Sequence, residues 1–277
     1  MNRAQWNHLA DEFETQVCDI AREETEDRLG RYVRAAHPVP KSSVLVDLGC
    51  GLGSFIRKFQ DRFLKITAVE YAPRIIARAK KNCAGVTKIK WLAMDIPRSA
   101  ETIGTVADLT VCMNVITSPS EAKRNAIWNA VETVTKPDGY ALIVVPSLES
   151  ERMVQRVSRR GRHAKVPAAM PGGLVQRDDA VQKHFERQEF GTILSRHGFV
   201  AVRLGRAYYP WAKEGMRKPR FAGATGPWDW VCLAQRRSDC PKQTSARAAG
   251  GPIRIRPASA GPLSRVRSRK PRSGSAE

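Results

Sequence analysis

The densest chemistry in this sequence lies in Val44-Leu45-Val46-Asp47-Leu48-Gly49-Cys50-Gly51-Leu52-Gly53, an apolar run closed by an acid and three alternate glycines. Glycine adopts positive φ without a steric penalty and lets a ligand approach the backbone closely. The spacing G-x-G-x-G differs from the G-x-G-x-x-G turn that aims a helix N-terminus at a pyrophosphate. Asp47, just ahead of the turn, would repel a phosphate and attract a cation. Glu70 ends the next apolar run, 17 residues past Gly53, where a carboxylate can accept both hydrogen bonds of a ribose diol. Asp95 and Ile96 follow the third run, placed to pair with an adenine amino group and to cover its face. Tyr71 and Asn114 stand directly after the second and fourth runs.

A ligand with adenine, ribose, an amino group and a positive sulfonium in place of phosphate is S-adenosylmethionine. Its predicted binding residues are Asp47, Gly49, Cys50, Gly51, Gly53, Glu70, Tyr71, Asp95, Ile96 and Asn114. Taken singly, Asp47 would also serve as a helix cap, Glu70 as a solvated strand end and Asp95 as a turn residue. Their order at the ends of successive strands favours the joint reading.

These residues need a frame that brings four strand ends together. Leu9, Phe13, Val17 and Ile20 recur at helical spacing, which predicts an amphipathic helix over residues 9–33, interrupted near Gly30 and stopped by His37-Pro38-Val39-Pro40. Strands are predicted at 44–48, 66–70, 89–94, 107–113 and 140–145, alternating with helices at 55–63, 73–82 and 119–134. The last of these opens on Ser118-Pro119-Ser120-Glu121, a helix-start signal, and closes at Lys136-Pro137-Asp138-Gly139. Such alternation builds a doubly wound α/β fold with a mainly parallel sheet covered on both faces. Beyond residue 150 the reading is a helix at 151–159, a Pro/Gly loop at 167–173, a helix at 190–196 and strands at 199–204 and 228–235.

The stretches V-L-V-D-L-G-C-G-L-G-S-F, I-T-A-V-E-Y-A-P, M-D-I and K-P-D-G-Y resemble the Rossmann-like class I S-adenosylmethionine-dependent methyltransferases. Within that class the likeness is to the small-molecule branch that includes the ubiquinone and menaquinone biosynthesis type. The resemblance covers residues 40–235 and is strongest in the first hundred of these. It implies a seven-stranded, mostly parallel sheet with an antiparallel last strand. It also implies that Gly49, Gly51 and Gly53 contact the methionine part, Glu70 the ribose and Asp95 the adenine. On this reading residues 1–39 form an N-terminal helical cap, 40–237 the methyltransferase domain with acceptor-side insertions at 150–190 and 206–227, and 238–277 a disordered basic tail.

Methyl transfer from a sulfonium is an in-line displacement, for which alignment alone can supply about 7–11 kcal/mol. A general base is needed only where the nucleophile must first lose a proton. His184, Tyr208 and Tyr209 are the candidates for acceptor-side chemistry, although the two tyrosines suit core packing equally. His197, in an R-H-G-F helix ending, reads as a structural terminus. Met113-Asn114-Val115-Ile116 departs from the D/N-P-P-Y/F motif for exocyclic amines of bases, and Cys240-Pro241 reverses the Pro-Cys order of cytosine chemistry.

The six cysteines are scattered and form no metal-ligand spacing. No apolar run reaches the roughly 18–20 residues of a transmembrane helix, and no signal-peptide core is visible, so a cytoplasmic location is expected. Residues 1–150 carry 20 basic and 18 acidic side chains, whereas 151–235 carry 16 and 7 and 236–277 carry 11 and 2. The excess behind residue 150 would attract polyanions. Two partner readings follow: a small-molecule acceptor, or an RNA or protein substrate docked through the basic rear, with weak nucleic-acid contact by the tail. The sequence does not fix an oligomeric state.

Overall fold

The computed structural model describes residues 3–160, 170–177, 180–220 and 225–238. Seven strands form one sheet in the order β3-β2-β1-β4-β5-β9-β8, where β1 is Val44–Leu48, β2 Lys65–Val69, β3 Ile89–Leu92, β4 Ala107–Met113, β5 Thr135–Pro146, β8 Phe199–Tyr208 and β9 Trp228–Arg236. The first five pair in parallel, and β9 runs antiparallel between β5 and β8. A separate hairpin joins β6 (Leu174–Arg177) to β7 (Ala180–Lys183). The doubly wound, mostly parallel sheet with an antiparallel last strand is the architecture the sequence implies.

Burial on both faces explains the near-continuous apolar strands. Leu45, Ile66, Leu109, Val111 and Leu142 point to one layer, packed with Phe55, Ile56 and Phe59 of α5 (Ser54–Phe59). Val46, Leu48, Val69, Cys112 and Ile143 point to the other, packed with Trp128 and Val131 of α8 (Glu121–Val134) and Phe190 and Leu194 of α10 (Glu189–Arg196). Ser120 caps α8 by accepting from the Lys123 amide at 3.4 Å. The remaining helices of the frame are α6 (Pro73–Asn82), α7 (Ile96–Ile103) and α9 (Leu148–Arg160).

Four features differ from the sequence reading. The helix expected over 9–33 is divided into α1 (Arg3–Leu9), α2 (Phe13–Gln16), α3 (Ile20–Glu23) and α4 (Arg28–Ala35). Ala10 and Phe13 pack on Leu52, Ala72 and Ile75, whereas Ile20, Leu29 and Val33 join the layer of Leu45 and Phe55. One straight helix cannot serve both surfaces. Val17 and Glu24 are extended, Asp27 is left-handed, and the Thr25 amide donates to the Tyr208 carbonyl at 2.9 Å. Helix α7 and the β6–β7 hairpin were not anticipated. β5 also starts at Thr135, so Lys136-Pro137-Asp138-Gly139 forms an irregularity within the strand, with Asp138 at φ 61°. Of the basic tail expected over 238–277, Ser238 is described and donates from its Oγ to Asp138 Oδ1 at 2.6 Å, and residues 239–277 lie outside the described residues. Among the described residues no helix is long and apolar enough to cross a membrane.

At the edge of the sheet away from the glycine turn, Asp108 joins three strands. Its Oδ2 accepts from the Val44 amide at 2.7 Å and its Oδ1 from Lys136 Nζ at 2.8 Å. Substitution Asp108→Ala orphans the Val44 amide, a loss of about 1–2 kcal/mol, with the half-exposed ion pair adding little. Denaturant unfolding should shift by that amount while ligand binding at the glycine turn stays unchanged. A loss of affinity without a loss of stability would contradict this placement.

Candidate cofactor and acceptor site

Parallel strands end on one edge, and the chain turns there after β1. Gly49, Gly51 and Gly53 have φ of 80°, 50° and 79°. A Cβ at Gly49 would stand 2.4 Å from Val115 Cγ2, and one at Gly53 would stand 2.8 Å from Cys83 Sγ. Glycine is therefore required twice over, by backbone angle and by the neighbours that close on the turn. The Gly49 and Cys50 amides donate to the Val69 carbonyl at 2.8 and 2.9 Å, which anchors the turn to the end of β2.

A cavity of about 1200 Å³ lies over this turn. Gly49, Cys50, Gly51, Glu70, Tyr71, Asp95, Ile96 and Asn114 line it, so eight of the ten predicted cofactor residues come to one wall. Asp47 and Gly53 lie behind that wall. Trp6, Phe13 and Val17 roof the cavity from the N-terminal segment, which is tied down by Arg74 on Asp11 and by Arg78 on Glu14, each at 2.5 Å. Arg3 reaches the rim, 3.9 Å from Asp95 and 5.7 Å from the centre of the Tyr71 ring. Ser120, Lys123 and Ile127 form a wall from the start of α8. Val181 and Gln182 of β7 close another side, held by the Lys183 amide on the Thr117 carbonyl at 2.8 Å.

The electrostatics of the turn are unbalanced. Asp47 is 1% exposed, and neither of its carboxyl oxygens has a hydrogen-bond partner. Burial, then the nearby Asp19 and Glu70, push its carboxyl up to about 8. Glu70 is also buried; burial raises it, although its Oε1 accepts from the Ala72 amide at 2.9 Å. Asp19 lines the cavity and accepts from Ser54 Oγ at 2.5 Å, and burial raises it too. Three carboxyls thus converge where a cationic ligand would compensate them.

Asn114 holds a left-handed backbone, φ 54°, at the end of β4. Its Nδ2 donates to Asp229 Oδ2 at 2.7 Å, which fixes the amide, while its Oδ1 is buried without a partner. The other candidates sit elsewhere. His184 is buried with Nδ1 4.0 Å from Glu151 Oε2, and Tyr209 donates to Glu214 Oε1 at 2.7 Å from within the core. Tyr208 packs edge-on to Trp228 at 6.1 Å and lines a shallow cleft with Arg28, Arg187 and Arg206. None of the three lines the cavity. His197 stacks on Trp128 at 5.8 Å, and burial lowers its pKa, in keeping with a structural helix end.

Sequence reasoning missed Asp19, Ser54, Trp6 and Phe13. The seven-residue interval from Trp6 to Phe13 was a usable signal for one shared face, and their rings lie 6.2 Å apart.

Residues 45–139 match the model of a methyltransferase domain. The chain carries an S-adenosylmethionine-dependent methyltransferase domain. Its fold recurs in solved structures at low identity. One is the 1,6-didemethyltoxoflavin-N1-methyltransferase of Burkholderia thailandensis with bound 1,6-didemethyltoxoflavin and S-adenosylhomocysteine (15% identity, TM-score 0.57, covering 85% of this chain and 87% of that one). A second is an S-adenosylmethionine-dependent methyltransferase of Clostridium acetobutylicum (12%, 0.57, 84% and 98%). A third is the magnesium protoporphyrin IX methyltransferase of Synechocystis with bound S-adenosylhomocysteine (13%, 0.52, 84% and 97%). No curated protein matches the chain.

The buried acid gives this methyltransferase a testable pH dependence. In the unfolded chain Asp47 ionises near 3.8, in the folded chain near 8. Stability attributable to this group is therefore full below about pH 4 and falls as pH rises toward 8. Asp47→Asn should raise the melting temperature of the ligand-free protein at pH 8 by several degrees, with no gain at pH 4. Equal effects at both pH values in thermal unfolding would sink the assignment.

Proposed function

We propose that the protein transfers the methyl group of S-adenosylmethionine to a small-molecule acceptor inside the cavity over the glycine turn. The observation that carries this reading is the cavity's size and enclosure. Single-ligand pockets commonly span about 300–1000 Å³, and this one is about 1200 Å³. It can hold the cofactor and a second molecule under one roof made by Trp6, Phe13 and Val17. An enclosure of this kind suits a compact acceptor better than a polymer. The Burkholderia structure, which holds a small acceptor beside S-adenosylhomocysteine, supports the same reading.

On this proposal Gly49 and Gly51 lie against the methionine part, and the unpartnered Asp47 behind them attracts its ammonium. Glu70 takes the ribose hydroxyls and Asp95 the adenine amino group, with Tyr71 and Ile96 beside the base. The bound cofactor supplies an electrophilic methyl group. The chain aligns the acceptor and excludes water, which is most of what in-line displacement needs. Asn114, Thr117 and the β7 residues Val181 and Gln182 form the wall available to the acceptor. A carboxylate such as Asp229 behind Asn114 favours positive charge developing on an acceptor nitrogen.

Two experiments test this. Gly51→Val, which strains φ and crowds Phe13, 3.2 Å from an added Cβ, and Glu70→Ala should each weaken adenosylhomocysteine binding at least about tenfold in calorimetry; normal binding by both rejects the cofactor site. Adenosylhomocysteine release should appear with a pool of small metabolites and not with RNA. That turnover should be insensitive both to added salt and to deletion of residues 239–277. A steep salt dependence would favour an RNA- or protein-modifying enzyme docked through basic residues.

A further inference from the structure

Asp19 belongs to no glycine-turn motif, yet it lines the cavity beside that turn. It precedes α3 in the N-terminal segment, and its contact to Ser54, the first residue of α5, reaches across 35 residues of sequence. It is one of the two groups that most raise the carboxyl of Asp47 after burial itself. The titratable groups facing Asp47 are Asp19 from the N-terminal segment, Glu70 after β2, Cys50 in the turn, Cys83 after α6 and Cys112 on β4. Burial raises all three thiols, so they are neutral. Arg22, the cation that acts on Asp19, is held by Glu23 at 2.7 Å. Among the described residues no basic side chain forms an ion pair with Asp19, Asp47 or Glu70.

A buried acid pair without a cation is stable only if it retains a proton or receives a positive ligand. We infer that Asp19 is a second counter-ion for the cofactor: from the cavity wall, with Asp47 behind the turn, it offsets the charge of the methionine ammonium, and loading expels the proton that the Asp47 carboxyl retains in the cofactor-free protein. This rests on the assignment of S-adenosylmethionine to the cavity. The exchange balances, because the O–H bond of one carboxyl breaks, its proton passes to solvent buffer, and the ammonium takes its place. It also gives the N-terminal segment a reason to close, since the segment carries one of the two charges that the cofactor satisfies. Asp19 acts here as a binding and positioning residue, separate from any base for the acceptor.

The test is calorimetric titration of the full chain with adenosylhomocysteine, which carries the same ammonium and undergoes no turnover. Comparing phosphate and Tris buffers at pH 7 counts the protons, and about one should be released per site. Affinity should rise by up to about tenfold per pH unit between pH 6 and 7.5. Asp19→Asn should weaken binding about tenfold and reduce the proton count to less than about half, while Ser54→Ala, which keeps the charge and frees its position, should weaken binding only a few-fold. A pH-independent affinity with no proton released by the natural protein overturns the proposal. So does an unchanged proton count in Asp19→Asn, whatever its affinity. Should that variant not fold, the pH series on the natural protein decides alone. Failure of adenosylhomocysteine to bind at all would instead reject the cofactor assignment.

Discussion

A carboxyl group taken out of water without a hydrogen-bond partner is costly, and the arrangement of this site follows from where the chain places one. Asp47 is the last residue but one of β1, the strand paired with β2 on one side and β4 on the other. Both faces of that strand are covered, so the side chain cannot reach solvent by a rotamer change. The group must be neutral or be matched from beyond the strand end. Among the described residues the opening lies at the edge where β1 stops, and three glycines there let the backbone turn close to the cavity. Glu70 and Asp95 share it because parallel neighbours of similar register end together. The site's position is thus a consequence of one buried charge on one central strand.

Much of this was legible in the sequence because it is local. A strand followed by G-x-G-x-G specifies both its own conformation and its ligand, and acids at the ends of the next two strands need only the parallel order to converge. The apolar periodicity of α8 and the dense hydrophobic runs of β1, β4 and β9 likewise carry their own signals. What was illegible depends on distant partners. Ile96-Pro97 opens a helix of only eight residues, too short to show two full apolar turns, so α7 was hidden behind Asp95, the acid that precedes it. The β6–β7 hairpin is polar and held by single bonds such as that from Lys183 to Thr117. Tyr208 and Tyr209 looked like pocket aromatics, but Tyr209 is consumed by the core and by Glu214, and nothing in the local pattern distinguishes the two fates.

The N-terminal segment shows the same limit from the other side. Its spacing reads as one helix, and each piece is helical, yet two separate hydrophobic surfaces compete for it. The breaks at Val17 and Glu24 satisfy both, and they put Asp19 into a position that no continuous helix would give it. The wall proposed for the acceptor is assembled in this manner too, from the ends of β4, α8 and β7, none of which carries a motif. A cofactor shared by a large family leaves a sequence signature, whereas an acceptor particular to one enzyme is recognised by whatever segments happen to meet there.

The place of β9 has a consequence for how the molecule is made. Residues 228–236 are the last of the sheet in sequence, yet they pair between β5 and β8 and not at an outer edge. During synthesis β1 to β5 can assemble as soon as residue 146 has left the ribosome. The open side of β5, a row of buried-type residues from Ala141 to Val145, then stays unpaired while some eighty further residues are added. β8 has no edge to join until β9 arrives. A nascent chain of this enzyme is therefore exposed to strand-to-strand misassociation at one known place, and release from that hazard comes only with Trp228–Arg236.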